Sequence, residues 1–166
     1  MAAPRKVRLT PFGLCQRSGI FQMSVKTIAS ILKAKGPEVH SVGPDTTAYD
    51  AVAKMAARDI AAVLVMENGD LLGVFSAKDY GSRIALQGRD GREVAVRDVM
   101  THPVVTVGPN VKIVDGMQIM ATKGLRHLPI MDDGKLIGLV TLADLVRSTL
   151  ADQEFKIEQL MTYVGS

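Results

Sequence analysis

Gly-Val-Phe-Ser-Ala-Lys-Asp at residues 73–79 and Gly-Leu-Val-Thr-Leu-Ala-Asp at residues 138–144 carry one pattern: glycine, two apolar residues, a hydroxyl residue, two variable residues, aspartate. The copies stand 65 positions apart, and that offset holds outward without a gap, so that residues 39–80 align on 104–145. Val42/Val107, Gly43/Gly108, Pro44/Pro109, Asp50/Asp115, Met55/Met120, Gly69/Gly134 and Asp79/Asp144 are identical, and like replaces like at Asp45/Asn110, Ile60/Leu125, Val65/Ile130 and Ser76/Thr141. A duplication this regular makes each copy one structural unit and predicts two pseudo-symmetric halves.

Each copy opens with a short extended piece ending at Gly-Pro, which disfavours helix before it, and places Asp45 or Asn110 as the expected N-cap. Ala48, Ala51, Val52 and Met55 then share one helical face, as do Ile113, Met117 and Met120. Apolar runs at 61–66 and 71–75 flank Glu67-Asn68-Gly69-Asp70, whose Asn-Gly step supplies the positive φ of a tight hairpin; Asp132-Asp133-Gly134-Lys135 repeats the signal. Both strands of each hairpin are expected to be buried on two faces. A helix begins after Ser76 and after Thr141. The expected fold is α/β, two pseudo-symmetric β-α-β-β-α repeats.

Outside the repeats, Val25, Ile28, Ile31 and Leu32 stand at helical spacing, residues 86–97 form a Gly-, Arg- and Asp-rich link, and 96–100 make a short turn. Past Leu145 the helical pattern continues to about Tyr163, with Val146, Leu150, Ile157, Leu160 and Met161 available to cover the sheet or a partner. The expected units are a basic leader at 1–24, a first repeat at 25–90, a second at 91–150 and a C-terminal helix at 151–166.

The whole chain of 166 residues carries a net charge of +3, but residues 1–37 hold seven basic residues and no acid, which leaves the remainder at −4. A mildly acidic body does not present a broad nucleic-acid surface. The acid-free leader reads as a flexible tail; an organelle presequence shares its composition, and a start at Met23 is a third reading. The longest apolar run, 60–66, is far short of the roughly 20 residues of a membrane span. Cys15 is the only cysteine, which excludes an internal disulfide and suits a reducing compartment, the cytoplasm. His40, His102 and His127 are dispersed, so no metal site is expected, and no nucleophile elbow, phosphate-loop lysine or dinucleotide glycine fingerprint appears. No enzymatic activity is expected.

The repeated pattern has chemistry of its own. Ser76 and Thr141 at helix N-termini bring a hydroxyl beside free amides, a setting suited to phosphate oxygens. Asp79 and Asp144, one turn further on, can accept two hydrogen bonds from a ribose diol. The same residues are good N-caps with an acid at N3, and one residue can serve both roles.

With the pattern at the strand-to-helix junction of both copies, the sequence resembles CBS domains over about residues 25–150. Residues 79–89 further resemble a subgroup of short two-repeat proteins of bacteria and plant organelles, from which Asp90-Gly91 departs. The resemblance implies two repeats packed sheet to sheet with two clefts between them, each built from the Ser/Thr and Asp of one repeat and the opening segment of the other. It places Thr141 and Asp144 with Val42, Thr46, Ile60, Ala61 and Ala62, and Ser76 and Asp79 with Thr106 and Val107. Arg126 and His127 stand where related sensors set basic residues against phosphates, with Lys78 and Arg83 as further candidates. The implied ligand is an adenine nucleotide (AMP, ADP, ATP or NAD), held by a regulatory homodimer that signals to a target protein by rearrangement, with the 88–97 linker and C-terminal helix as moving parts, or through dimer contacts. No catalytic cofactor, nucleic acid or membrane partner is implied. The alternative is a ligand-independent interaction scaffold. Because Arg126 and His127 belong to the second repeat, Asp144 is expected to matter more to binding than Asp79.

Overall fold

The structure, a computed structural model, describes residues 26–164. In chain order it runs α1 (Ile28–Lys35), β1 (Ser41–Val42), α2 (Ala48–Arg58), β2 (Ala62–Glu67), β3 (Asp70–Ser76), α3 (Ala77–Arg83), two short 3-10 turns, α4 (Ile113–Lys123), β4 (His127–Asp132), β5 (Lys135–Thr141) and α5 (Leu142–Val164). The expected α/β repeats are present. The leader, Cys15 and Val25 lie outside the described residues.

Both hairpins form at the expected turns. Asn68 and Gly69 have φ of 52° and 92°, and Asp133 and Gly134 of 46° and 74°, the left-handed pairs that let two residues reverse a twisted ribbon. The registers correspond: Ala62 pairs with Ser76 and His127 with Thr141. β1 adds in parallel to β2, whereas in the second repeat the same segment is reduced to a single parallel bridge between Val107 and Ile130.

Two expectations are corrected. Asp45 and Asn110 are not N-caps, because each Gly-Pro segment first closes a turn, with Thr46 N–H donating to Gly43 and Val111 N–H to Gly108. The helices therefore start later. Thr47 caps α2 by accepting from the Asp50 amide at 3.1 Å, Lys112 stands at the α4 cap position without a side-chain bond, and exposed Asp45 pairs with Arg97. The second strand of each hairpin is also not buried on both faces. Gly73 and Phe75 in β3 and Gly138 and Val140 in β5 are buried, but their neighbours are only partly so. That other face turns to the opposite repeat and to the cleft described below.

The core divides into two clusters that do not follow chain order. Ala48, Ala51, Met55, Val63, Val65, Phe75 and Ile84 are completed by Val94, Val96 and Val99 from the link, so the segment expected to move is built into the first core. Ile113, Met120, Leu128, Ile130, Val140 and Leu145 are completed by Ile28 and Ile31 of α1. Each repeat is thus finished by the segment that precedes the other. Backbone bonds fasten both exchanges: Ala48 N–H donates to Val94 at 2.8 Å and Val96 N–H to Thr46 at 2.9 Å, while Ile28 N–H donates to Val111 at 2.9 Å and Ile113 N–H to Lys26 at 3.1 Å.

The glycine that opens each pattern is explained by this docking. A Cβ at Gly73 would lie 2.3 Å from the sulfur of Met100, and one at Gly138 2.5 Å from a methyl of Leu32. A side chain at either position would have to push Met100 or Leu32 aside for the docking segment to lie against the strand. Past Leu145, α5 leaves Val146, Leu150, Ile157, Leu160 and Met161 exposed, so within one chain they cover no sheet. The helix runs unbroken from Leu142 through the 150/151 boundary.

Ile28 is fully buried although it lies ahead of the duplicated residues 39–80. Ile28→Ala should therefore cost about 2–5 kcal/mol, as a core truncation does, whereas Leu86→Ala, at an exposed position, should stay within about 0.5 kcal/mol. Urea unfolding of both variants checks this; equal, small changes would show that α1 does not hold the second core.

Candidate functional site

The β3–α3 junction is built by local sequence. Ser76 caps α3 by accepting from the Asp79 amide at 3.2 Å, and Asp79 Oδ2 accepts in return from the Ser76 amide at 2.9 Å, a reciprocal capping box. Asp79 Oδ1 faces Thr101 Oγ1 at 3.4 Å and Arg83 Nη2 at 3.6 Å. Capping thus occupies one carboxylate oxygen and leaves the other toward the cleft. Arg83 is mainly a clamp. Its Nη1 donates to the carbonyls of Val99 and Met100 at 2.7 and 2.8 Å, tying the opening of the second repeat to α3.

Between the repeats lies a cleft of about 590 Å³. One wall is Ala61, Val74 and the 76–83 junction, and the other is Thr101, Pro103, Val104, Val105 and residues 123–127. Of the residues expected at the site, Ala61, Ser76, Lys78, Asp79, Arg83, Arg126 and His127 meet here. Val42 and Val107 do not, because their backbones pair with β2 and β4 and their side chains pack on the two cores. Ile60 also packs on the first core, Ala62 is buried, Thr46 is held in the turn before α2, and Thr106 is exposed. Thr141 and Asp144 form the corresponding junction of the second repeat.

Arg126 and His127 therefore join Asp79 rather than Asp144, opposite to the expected allocation. The cause is the facing of the repeats: the loop ahead of one hairpin reaches the Ser/Asp junction of the other. Thr101 and Lys123 were not picked out by sequence. Lys123 could have been read from the run Lys123-Gly124-Leu125-Arg126-His127, in which Gly124 (φ 66°) ends α4. Thr101 has no such signal, since only the docking of the link brings it to Asp79.

Electrostatically the cleft is basic. Lys78, Lys123 and Arg126 line it with no ion-pair partner among the described residues, against the one carboxylate of Asp79. Val74, Val104, Val105 and Leu125 give it apolar wall. Cations on one side, an acid able to accept from hydroxyls and an apolar slot between suit an anionic ligand with a flat ring.

At the second junction Asp144 Oδ2 accepts from the Thr141 amide at 2.9 Å and from Lys35 Nζ at 2.8 Å. Burial raises the Asp144 pKa, but the hydrogen bonds from Lys35 and Thr141 outweigh it and hold the carboxyl below its usual range. Burial lowers the pKa of His127, assisted by Lys35 and Arg126 and opposed by Asp79 and Asp144.

Residues 24–80 and 96–150 each match the family described as CBS domain. The chain belongs to this family. Among relatives of this CBS pair, the mitochondrial CBS domain-containing protein CBSX3 of Arabidopsis thaliana is 31% identical over 147 residues, spanning 83% of this chain and 71% of that protein. A CBS-domain protein from Burkholderia ambifaria MC40-6 superimposes with a TM-score of 0.75 at 38% identity, covering 77% of this chain and 96% of that one. CBSX2, solved in complex with AMP, superimposes with a TM-score of 0.64 at 26% identity, covering 76% and 98%. The two superimposed proteins share the fold of this chain. No helix among the described residues of this CBS pair is long and apolar enough to cross a membrane, and no group of three or more His, Cys, Asp or Glu among them could hold a metal.

A lowered His127 pKa favours the neutral imidazole in the fold over the unfolded chain. Its contribution to stability is whole above the unfolded value of about 6.5 and is lost as pH falls through the lower folded value, because the unfolded chain takes the proton first. His127→Gln should flatten the acid side of the stability profile below about pH 6.5. Urea midpoints measured across that range check it, and parallel profiles for the two proteins would contradict it.

Proposed function

We propose that the chain is a regulatory module that binds an adenine nucleotide in the cleft between its CBS repeats and catalyses nothing itself. The observation that carries the reading is Asp79. It keeps one carboxylate oxygen toward a cleft whose lysine and arginine lining is cationic. A ribose diol can donate to that oxygen, phosphates can meet Lys78, Lys123 and Arg126, and a flat base can enter between Val74 and Val104. AMP, ADP, ATP and NAD share these parts. The AMP complex of CBSX2 supports the ligand class. CBSX3 is a mitochondrial protein; for this chain the lone Cys15 supports a reducing compartment, and we assign it to the cytoplasm.

A bound nucleotide would touch both repeats, and it can shift their arrangement only by its differential affinity for the alternatives. The link is packed into the first core, so signalling to a target would pass through the face between the repeats and through α5. The exposed apolar residues Leu150, Ile157, Leu160 and Met161 on α5 favour a homodimer, and they equally favour a second reading, a scaffold whose contacts need no ligand.

Asp79→Ala should weaken AMP binding tenfold to a hundredfold, about 1.5–3 kcal/mol, and Asp144→Ala far less. Asp79→Asn, which keeps an oxygen for the Ser76 cap, separates lost binding from lost folding. Calorimetry returning equal affinity for wild type and all three variants would refute the site and leave the scaffold. Light scattering at micromolar concentration should return twice the 17.8 kDa chain mass. Ile157→Glu together with Leu160→Glu should halve that mass; a wild-type monomer would rule out the dimer.

A further inference from the structure

Along α5 the exposed residues Val146, Leu150, Gln153, Ile157, Leu160 and Val164 follow one another at steps of four, three, four, three and four. This is the period of about 3.5 residues that marks a coiled-coil seam, narrower than the stripe of a helix lying on a core. The seam takes no part in this chain's own packing. Leu145 is buried, Thr149 Oγ1 lies 3.7 Å from Met117 Sδ, and Lys26 Nζ holds Asp152 at 3.1 Å, so residues 145, 149 and 152 mark the face turned to α1 and α4. With about 3.6 residues per turn, the seam stands roughly a quarter turn round from that face, and Phe155 falls opposite the seam. The helix is anchored in the second core by Leu145, so a partner meets a rod already formed.

A second copy of α5 fits this seam, and Gln153 decides its direction. A parallel partner in register sets each seam residue against itself, giving five apolar pairs and one pair of Gln153 amides, each able to donate to the other's carbonyl. On the flanks Glu154 then faces Thr149 and Lys156 faces Met161 of the second copy, and no like charges meet. An antiparallel partner covering the same length sets Gln153 against Ile157 and leaves its amide without a partner in an apolar layer. It also brings Glu154 against Glu154 and Lys156 against Lys156, which repel.

We infer that α5 pairs with the α5 of a second copy as a parallel, in-register coiled coil whose register is set by Gln153. The inference rests on the reading of α5 as a homodimer face and adds its direction and the residue that sets it. Both CBS pairs then stand at the same end of the coil, side by side.

The experiment uses the full chain carrying Cys15→Ser, so that an introduced cysteine is the sole thiol. All the substituted seam positions are exposed in the single chain, so its folding does not depend on them. Leu150→Cys and Leu160→Cys are oxidised separately and as a mixture. In the parallel coil each should form a covalent dimer by itself, because like positions lie within disulfide reach. In the antiparallel arrangement like positions stand about 15 Å apart along the axis, and only the mixture cross-links. Gln153→Glu and Gln153→Lys should each weaken the dimer at least about tenfold in a light-scattering dilution series, and mixing the two should restore it, since unlike charges then face each other. Cross-linking of each cysteine variant alone without that restoration overturns the role of Gln153. Cross-linking only in the mixture overturns the parallel direction and leaves the homodimer reading standing. A wild-type dimer in which neither cysteine cross-links, alone or mixed, puts the contact on another face and overturns the coil. A wild-type monomer overturns both the coil and the homodimer.

Discussion

The docking of each repeat's core against the segment that precedes the other repeat is the constraint on which the remaining structure depends. A hairpin with one helix on each side of it is too small to enclose its own apolar residues, and here Val94, Val96 and Val99 close the first core while Ile28 and Ile31 close the second. The burial of a side chain such as Ile28 is worth on the order of 1.5–3 kcal/mol. The two repeats are therefore bound into one unit by hydrophobic burial, not merely joined by a linker. Gly73 and Gly138 mark how closely the docking segments approach.

The site follows from that exchange. Once the link is seated on the first core, Arg83 grips its carbonyls, Thr101 is delivered to Asp79, and the 103–105 stretch becomes the far wall of the cleft. The same docking at the other end delivers Lys35 to Asp144. Two junctions with nearly the same sequence thereby reach different chemical states, because the difference lies in what docks on them. A capping box and a ligand site can share Ser76 and Asp79 because a carboxylate has two oxygens and the cap needs one.

Much of the fold is legible in the sequence. The ungapped repeat, the Asn-Gly and Asp-Gly turns and the Ser-x-x-Asp and Thr-x-x-Asp junctions are local signals whose physics is complete within a few residues, so the hairpins and the helices after them fall where expected. The N-caps at Asp45 and Asn110 failed because a Gly-Pro turn competed for the same residues and delayed the helix. Burial of β3 and β5 on both faces failed because an apolar run cannot say whether its second face meets a core or a cleft.

What the sequence determined by itself was the repeat, its α/β units, the capping chemistry of Ser76, Asp79, Thr141 and Asp144, and the cluster of basic residues near 126. All of these depend on neighbours in the chain. Tertiary structure alone decided that α1 packs on the second core, that Arg126 and His127 face Asp79, and that Lys35 rather than a threonine meets Asp144. Lys35 and Asp144 are 109 positions apart, and no periodicity or spacing links them. They meet because apolar burial of Ile28 and Ile31 carries the end of α1 there.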